Sequence, residues 1–372
     1  MQIRKIDTGN RKDVHQFIQL PFDLYKGNAQ WVPPIASDIR GLLNRKKHPF
    51  YRHSDADFFL AERDGRAVGR IAVLYNRNYN EHHNRRTAFF YLFECEDDQE
   101  AAHGLFDAAF DWARSHGMNE IKGPRGFLRS HGHGILVEGF EFRPAMGIPY
   151  NHPYYATLVE GAGFQKFDAF LSGRIDRGHE LPERFFEIAE RVKERRGFRI
   201  QEFRNKREMR QWIPRIEPVL RQAFADAPEA YPFTPEEFKQ MATSMILAAK
   251  PDCVKLVMKG DQPIGFLFTF SDISAALQKT GGRLWPFGWI PILLEFRRTD
   301  WANLNGVGLL PEYQGMGANA VLYAELTKTL INSQFNHGDI VQVSEQNMKS
   351  FSDMEAIGVR WYKRHRVYRR EL

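Results

Sequence analysis

The sequence is poor in cysteine, with only Cys95 and Cys253 among its 372 residues. Two cysteines this far apart form neither a disulfide framework nor a Cys-x-x-Cys metal site, so we expect no metal. No stretch approaches the roughly 18 uninterrupted apolar residues of a transmembrane helix. The first residues, MQIRKIDTGNRKD, lack the apolar segment of a signal peptide. These absences favour a cytoplasmic protein without a transmembrane segment.

A strong excess of one charge is also missing, because the net charge is only +6. A charge this small in a long chain is weak evidence for nucleic-acid binding. Aromatic residues, in contrast, are abundant, with 30 Phe, 13 Tyr and 7 Trp. The chain is too long for one ordinary hydrophobic core, so two domains of about 150–200 residues are expected.

The two halves of the chain repeat one order of elements: hairpin, strand, helix, strand, short helix and closing strand. A turn at Asp64-Gly65 separates two strand patterns in the first half, and Gly260-Asp261 does so in the second. A charged helical pattern over residues 176–198 lies between them. We therefore predict an α/β protein with a first domain at 1–175, a linker helix at 176–198 and a second domain at 199–372, interrupted by an insertion at 273–300.

Residues 307–323, VGLLPEYQGMGANAVLY, combine a strand, a loop with two glycines, and a helix that starts without a Ser, Thr or Asp cap. An open helix start carries unpaired N–H groups and about half a positive charge, so it binds anions such as phosphate. Glycines let a ligand approach the backbone closely. The loop fits neither the P-loop nor the GxGxxG pattern. The alternative is an ordinary corner whose glycines serve only the turn.

This stretch resembles the GNAT superfamily of acyl-CoA-dependent N-acyltransferases, in which a strand ending in V-x-P-E-Y precedes Q/R-x-x-G-x-G/A and a helix. Gln314 and Gly317 match that pattern, whereas Asn319 stands in place of Gly or Ala. Asn347 and Gly358 have the family's next spacing. The resemblance is specific over about 253–368, and the whole chain is similar to bacterial GNAT-like proteins of about this length. It implies two tandem GNAT-like domains, each a mixed, mostly antiparallel sheet flanked by helices.

The resemblance also implies a site for acetyl-CoA or another acyl-CoA in the second half. Backbone N–H groups after the strand would hold the pyrophosphate, the end of the strand would pair with the pantetheine arm, and one Asn would contact pantetheine. The implied residues are Gly308, Leu309, Leu310, Gln314, Gly315, Met316, Gly317, Ala318, Asn319 and Asn347. The corresponding corner of the first half, ECEDDQEAAHG at 94–104, is acidic. Because carboxylates would repel a pyrophosphate, we expect the first domain to be degenerate and not to bind CoA.

The acid that usually protonates the leaving thiolate in this family is absent, because the position of its Tyr is Met354. Either Tyr362, Tyr323 or a water serves instead, or the thiolate leaves unaided, or the domain binds acyl-CoA without turnover. Glu345, at the end of a strand that points to the cofactor gap, is the candidate base. Its alternative role is a surface carboxylate or a helix cap.

The acceptor site has two sets of candidates. Asn303 and Asn305 alternate to one face of a strand. The insertion is dense in apolar residues, among them Trp285, Phe287 and Trp289. It could wall an acceptor or acyl pocket, pack between domains or in a dimer, or touch a membrane with its basic neighbours. A pocket there would suit acyl chains or acceptors larger than acetyl.

Two further segments stand out. The last residues, RWYKRHRVYRREL, alternate basic with aromatic residues, which is typical of nucleic-acid binding but also of an edge strand with a charged solvent face. We favour the edge strand. The loop SHGHG contains His131 and His133 without firm metal-ligand partners, and we interpret it as a Gly-rich loop that could line a site.

Together these patterns predict an acyl-CoA-dependent N-acyltransferase, with acetyl as the expected acyl group. Transfer would be direct, in a ternary complex, to the primary amine of a small molecule or peptide. A catalytically silent acyl-CoA sensor or scaffold is the alternative, and a nucleic-acid partner is not expected. The sequence identifies neither the acceptor nor the acyl length, and it is compatible with a homodimer.

Overall fold

The computed structural model describes residues 1–179, 181–225 and 229–372, which form helices around one continuous sheet. Its strands are β1 (Gln2–Lys5), β2 (Asp55–Arg63), β3 (Arg66–Tyr75), β4 (Thr87–Cys95), β5 (Glu120–Gly123), β6 (Ile135–Glu138), β7 (Gln165–Asp176), β8 (Phe198–Gln201), β9 (Lys255–Lys259), β10 (Gln262–Ser271), β11 (Trp301–Leu309), β12 (His337–Ser344) and β13 (Arg360–Glu371). Its α-helices are α1 (Arg11–Leu24), α2 (Ala36–Leu42), α3 (Arg77–His83), α4 (Gln99–Ser115), α5 (Tyr155–Gly161), α6 (Glu183–Arg196), α7 (Lys206–Ala223), α8 (Pro235–Ala248), α9 (Ser274–Thr280), α10 (Trp289–Arg298), α11 (Ala318–Ile331) and α12 (Met348–Ala356).

The sheet is mixed and mostly antiparallel, as predicted. Its strand order is β1-β2-β3-β4-β5-β13-β7-β12-β11-β10-β9-β8, with β6 paired to β13 beside this path. The predicted hairpins at Asp64-Gly65 and Gly260-Asp261 are the antiparallel pairs β2–β3 and β9–β10. Each half has one parallel pair, β4–β5 in the first and β11–β12 in the second. The two halves therefore repeat one topology.

The closing strands of the two halves change places. β7, from the first half, pairs with β12 of the second half, and β13, the last strand, pairs with β5 of the first. β7 and β13 also pair with each other over most of their length. The expectation that each half closes its sheet with its own last strand is therefore wrong. The domain boundaries at 175 and 199 remain a prediction, and the exchange ties the two halves into a single sheet.

The interpretation of the basic C-terminal segment as an edge strand is also wrong. β13 has β5 and β6 on one side and β7 on the other. Lys363 and His365 are buried, and the Lys363 ammonium donates to the Arg143 carbonyl at 2.8 Å. Tyr368 is fully buried and donates its hydroxyl hydrogen to Glu160 at 3.0 Å. Several of its polar groups therefore serve contacts inside the protein.

Amphipathic helices cover the sheet because their apolar faces are buried against it. In α4, Leu105, Phe106 and Phe110 are buried in the first-half core, and in α11 Leu322 and Leu326 are buried in the second. The predicted linker helix is α6, which lies beside α11, where Lys328 donates to Glu190 at 2.7 Å. Within the described residues, none of the helices is both long and apolar enough to cross a membrane.

Acid is expected to destabilise this fold because His48 and His365 are buried as neutral rings. The His365 Nε2 lies 2.9 Å from the Pro149 carbonyl, so it is the protonated nitrogen, and Nδ1 has no partner among the described residues. Burial lowers the pKa of both histidines to about 4. In the unfolded chain they titrate near pH 6.5, so the unfolded chain binds more protons between pH 6.5 and 4. Stability is therefore complete above about pH 6.5 and falls as the pH falls.

By pH 5.5 these two rings alone should cost about 3 kcal/mol of the free energy of unfolding, and the buried His131 and His133, whose pKa values burial also lowers, add to this loss. Urea titrations at pH 7.5 and 5.5 measure this loss. Replacing the exposed His82 by Gln is the control and should leave the loss unchanged. Equal free energies of unfolding at the two pH values would show that these rings are not held neutral.

Candidate functional site

The two strands of the parallel pair β11–β12 separate part of the way along. Their pairing runs from Trp301 with His337 to Leu304 with Ile340 and ends there. Just beyond this point β11 carries a bulge, since Leu267 of β10 faces Val307 whereas Thr269 faces Leu304. Such an extra residue bends a strand and re-aims its side chains. The backbone of β11 therefore borders a gap from Asn305 onward, and this stretch includes the predicted pantetheine-pairing residues Gly308, Leu309 and Leu310.

The start of α11 is open, as the sequence predicted. Gly317 is the residue before the first turn, has φ +83°, and no side chain caps the helix there. Gly315 has φ +73° with nothing within 4 Å of the position of an added Cβ. Gln314, Gly315 and Met316 are exposed, and Ala318 is buried beneath them. The N–H groups of Gln314 and Met316 donate within the loop, to the Pro311 and Tyr313 carbonyls at 3.2 and 3.4 Å. The N–H groups of Gly315, Gly317 and the first turn of α11 are therefore those left for an anionic group, with little side-chain cover.

The two Asn residues near this loop have defined partners. Asn319 does not point outward, because its side-chain amide donates to Asp353 of α12 at 3.0 Å and so links α11 to α12. Asn347 caps α12 by accepting from the Ser350 N–H at 3.2 Å, and it also lines the cavity described next. Both residues therefore shape the edge of the gap.

A cavity of about 580 Å³ continues from this gap into the protein. On one side it is lined by residues of α11 and α12, and on the other by residues of α7 and α8 such as Met241 and Met245. Phe266 and Phe268 of β10 add aromatic surface. It also reaches the first half, at residues 129–133. The two sides of the sheet are thus connected through the place where β11 and β12 separate.

His131 and His133 lie at this cavity, together with Gln342 of β12. The Gln342 side chain holds the His133 backbone, accepting from its N–H at 2.9 Å and donating to its carbonyl at 2.6 Å. Gln342 has φ +50° and sits where the pairing of β12 with β7 shifts register. The sequence suggested only that the loop could line a site, because a contact across 209 residues has no local signal.

Both histidines are held as neutral rings. Burial, aided by Arg125, lowers the pKa of His133 to about 3, and burial lowers that of His131 to about 4. The Nδ1 atoms of both rings are buried and have no hydrogen-bond partner within the described residues. The Nδ1 of His131 packs against Gly126, where an added Cβ would lie 2.3 Å away. Because these Nδ1 atoms are enclosed by protein, only the other ring nitrogen, Nε2, could meet a bound ligand.

Tyr323 packs beside the position of the missing acid. It lies on the second turn of α11, lines the cavity, and packs in one cluster with Met354, the residue at the usual acid position, and with Ile340. Burial, followed by the Asp353 carboxylate, raises the pKa of Tyr323 well above its usual value. It is therefore protonated at neutral pH and able to donate.

The two predicted catalytic residues lie elsewhere. Glu345 contacts Lys166 at 2.5 Å and Arg364 at 3.4 Å and is not among the cavity residues. The Tyr362 hydroxyl donates to Asp339 at 2.6 Å, away from the cavity lining. Burial raises the pKa of Asp339 to about 7. Neither placement supports a role in proton transfer at the cavity, so we propose neither residue as catalytic.

Of the predicted acceptor-site residues, some line the cavity and others do not. Asn305 lines the cavity, but Asn303 is buried behind it, so the bulge has broken their predicted alternation. Trp285, Phe287 and Trp289 are exposed and do not line the cavity. The underside of the insertion packs on the first half, in a cluster where Ile273, Ala276, Leu277 and Ile292 meet Val32, Ile35 and Met146. This matches the packing interpretation of the insertion rather than the pocket.

The corresponding corner of the first half is occupied by its own side chains. Glu94 accepts from the hydroxyls of Tyr25 and Tyr155 at 2.7 and 2.8 Å, and Arg70 lies 3.7 Å away. Asp98 caps α4 by accepting from the Ala101 N–H at 3.1 Å. A capped helix start and a filled corner leave little room for a pyrophosphate, and the absence of CoA binding by this half stays a prediction.

No family model matches the chain. It is 26% identical over 375 residues to Protein YghO of Escherichia coli, covering 98% of this chain and 94% of that one. It is also 26% identical over 370 residues to the bacterial ceramide synthase of Caulobacter vibrioides, covering 97% and 95%. Among solved structures, a tandem GNAT protein from the clavulanic acid biosynthesis pathway matches with TM-score 0.56 and 12% identity over 100% of this chain and 98% of that one. The fold is that of tandem GNAT proteins, which confirms the predicted fold class.

Proposed function

We propose that this protein with the tandem GNAT fold is an N-acyltransferase that transfers a long acyl chain from acyl-CoA to the amine of a lipid-like acceptor. The observation that carries the proposal is the open start of α11 beside a cavity of about 580 Å³ that is lined mostly by apolar groups. An acetyl group would fill only a small part of such a cavity. A long chain also makes better use of surfaces such as Phe268, Met241 and Met245.

The relative from Caulobacter vibrioides supports the class of acceptor. It is named a bacterial ceramide synthase, and it matches this chain over nearly its whole length. A ceramide is the fatty amide of a long-chain amino alcohol, so both partners of the bond carry apolar chains. A cavity that joins the two sides of the sheet suits two such chains meeting at one point. We therefore propose a longer acyl group in place of the acetyl group that the sequence led us to expect.

Different residues of the chain would bind the different parts of acyl-CoA. Backbone N–H groups of Gly315 and of residues 317–319 would hold the pyrophosphate, and the free edge of β11 would pair with pantetheine. Asn347, at the cavity edge, would contact the pantetheine arm. Gly306, in the bulge of β11 with φ +107°, lines the cavity and offers a backbone N–H for the developing oxyanion.

The reaction needs one proton removed and one supplied. The amine nitrogen attacks the thioester carbonyl, a C–N bond forms, and the C–S bond breaks. His133 would take the proton that the nitrogen loses, and Tyr323, or a water beside it, would protonate the departing thiolate. Because its low pKa makes His133 a weak base, it would take the proton only after the nitrogen has bonded to the carbonyl carbon and become more acidic.

A silent acyl-CoA sensor remains the second candidate, because Met354 replaces the usual acid. The two functions differ in turnover but share ligand binding. Both would show stabilisation by acyl-CoA.

The acyl-chain preference tests the proposal. Thiol release and amide formation are measured with palmitoyl-, decanoyl- and acetyl-CoA, using sphinganine as a long-chain amine and serinol as a short one. Because each buried methylene contributes about 0.8 kcal/mol, kcat/KM for the longer donors should exceed that for acetyl-CoA at least tenfold. Equal values, or a preference for acetyl-CoA, would contradict a long-chain donor. Stabilisation by acyl-CoA without amide formation from either amine would favour the sensor.

A further inference from the structure

The insertion exposes a concentrated apolar surface. Thirteen large hydrophobic side chains are exposed in the described chain, and six of them lie within residues 285–294. We call these six the insertion face: Trp285, Phe287, Trp289, Ile290, Leu293 and Leu294. Trp285 and Phe287 are 85% and 71% exposed. Single exposed apolar residues are common on protein surfaces, but a cluster of this kind indicates an interaction site.

The insertion face lies on an amphipathic segment whose opposite side is packed against the first half of the chain. Within α10, positions 289, 290, 293 and 294 share one side of the helix, and Ile292 is buried on another. The base is held by the first half, where the Gly282 carbonyl accepts from the Ala36 N–H at 3.1 Å and Gln278 donates to the Ala29 carbonyl at 2.8 Å. The face is therefore presented by a packed support.

The rim of the insertion face is basic. Lys279, Arg283, Arg297 and Arg298 are exposed, and none of them forms an ion pair within the described part of the chain. The one acidic residue between 274 and 298 is Glu295. Exposed tryptophans beside unpaired arginines match the boundary between lipid headgroups and acyl chains, and the basic side chains complement anionic headgroups.

We propose that the insertion face docks on the surface of an anionic phospholipid bilayer. The apolar side chains would enter the headgroup region, and the basic rim would lie against the phosphates. A second copy of this chain fits less well, because a two-fold contact would bring the basic rim of one copy against that of the other. The docking would bring the protein to the membrane whether or not its substrates are lipids, so this inference is independent of the proposed reaction.

Vesicle flotation with the full chain tests the docking. Wild type should float with vesicles of phosphatidylglycerol and phosphatidylethanolamine, and less with phosphatidylcholine alone. The triple variant Trp285→Ser, Phe287→Ser, Trp289→Ser should lower the bound fraction at least tenfold at limiting lipid. Its unfolding midpoint should be close to that of wild type, because Trp285 and Phe287 are largely exposed and Trp289 is half exposed.

The matched control replaces exposed apolar residues elsewhere. Leu247→Ser with Ile331→Ser, at positions 58% and 61% exposed, should leave vesicle binding unchanged. Charge is tested separately with Arg283→Glu, Arg297→Glu and Arg298→Glu, which should abolish the preference for anionic vesicles. Absence of flotation by wild type would overturn the proposal, as would equal flotation of the triple variant. Light scattering that shows a wild-type dimer, converted to monomer by the triple variant without any vesicle binding, would instead assign the face to a second copy.

Discussion

Gly315→Glu is expected to abolish the stabilisation of this protein by acyl-CoA. Gly315 lies in the loop that opens α11, with φ +73° and no neighbour within 4 Å of an added Cβ. A glutamate there would place a carboxylate where the backbone N–H groups would meet the pyrophosphate, so like charges would repel. In wild type, acyl-CoA at 100 times its dissociation constant should add about 2.7 kcal/mol to the free energy of unfolding. Thermal unfolding with decanoyl-CoA, acetyl-CoA and CoA measures the loss.

The control for this substitution is Gly117→Glu. Gly117 has φ +75°, also has nothing within 4 Å of an added Cβ, and lies in the first half after α4. It therefore suffers the same backbone strain without touching the loop, and it should retain the full ligand-induced stabilisation. If Gly315→Glu responded to acyl-CoA as wild type does, the loop would not be the pyrophosphate site. If acyl-CoA did not stabilise the wild-type protein, both the N-acyltransferase and the acyl-CoA sensor would be excluded.

The features predicted correctly from the sequence are those set by neighbouring residues. The hairpin turns and the open start of α11 each depend on a few adjacent positions. The exchange of β7 and β13 depends instead on which strand each meets in space. Both segments are strand-forming in either arrangement, so their patterns could not decide between partners. The burial of Lys363 and His365 follows from that exchange.

Two placements in the site that differ from expectation, those of Asn303 and Glu345, share one physical cause, which is a bulge in the strand. An extra residue in a strand reverses the alternation of every side chain after it. The bulge of β11 separates Asn305 from Asn303, and the irregularity at Gln342 in β12 precedes Glu345. Glu345 was expected to point at the gap, but it contacts Lys166 instead. The histidine loop escaped prediction for a different reason, since its link to Gln342 spans the two halves.

His133→Gln is expected to lower kcat by about 10²–10⁴-fold, the usual contribution of a positioned general base. The substitution removes the imidazole that lines the cavity, whereas the backbone contacts that Gln342 makes to residue 133 involve no side-chain atom of His133. Binding of acyl-CoA, measured by thermal unfolding, should be unchanged because the loop at 314–319 is intact. A fall in kcat with retained binding is the pattern of a lost proton acceptor and not of a damaged fold.

The second cavity histidine supplies the comparison. His131 also lines the cavity, but its Nδ1 packs against Gly126 and its ring stacks on Tyr91, with 5.6 Å between ring centroids. His131→Gln should therefore reduce kcat much less than His133→Gln if His133 is the base. Single-turnover experiments with decanoyl-CoA and sphinganine measure the rate of the chemical step in both variants. If the rate of His133→Gln is within threefold of the wild-type rate, His133 is excluded as the base. If His131→Gln loses more rate than His133→Gln, His131 is the base instead. These are the two imidazoles with an unpartnered nitrogen that the described chain brings to the cavity.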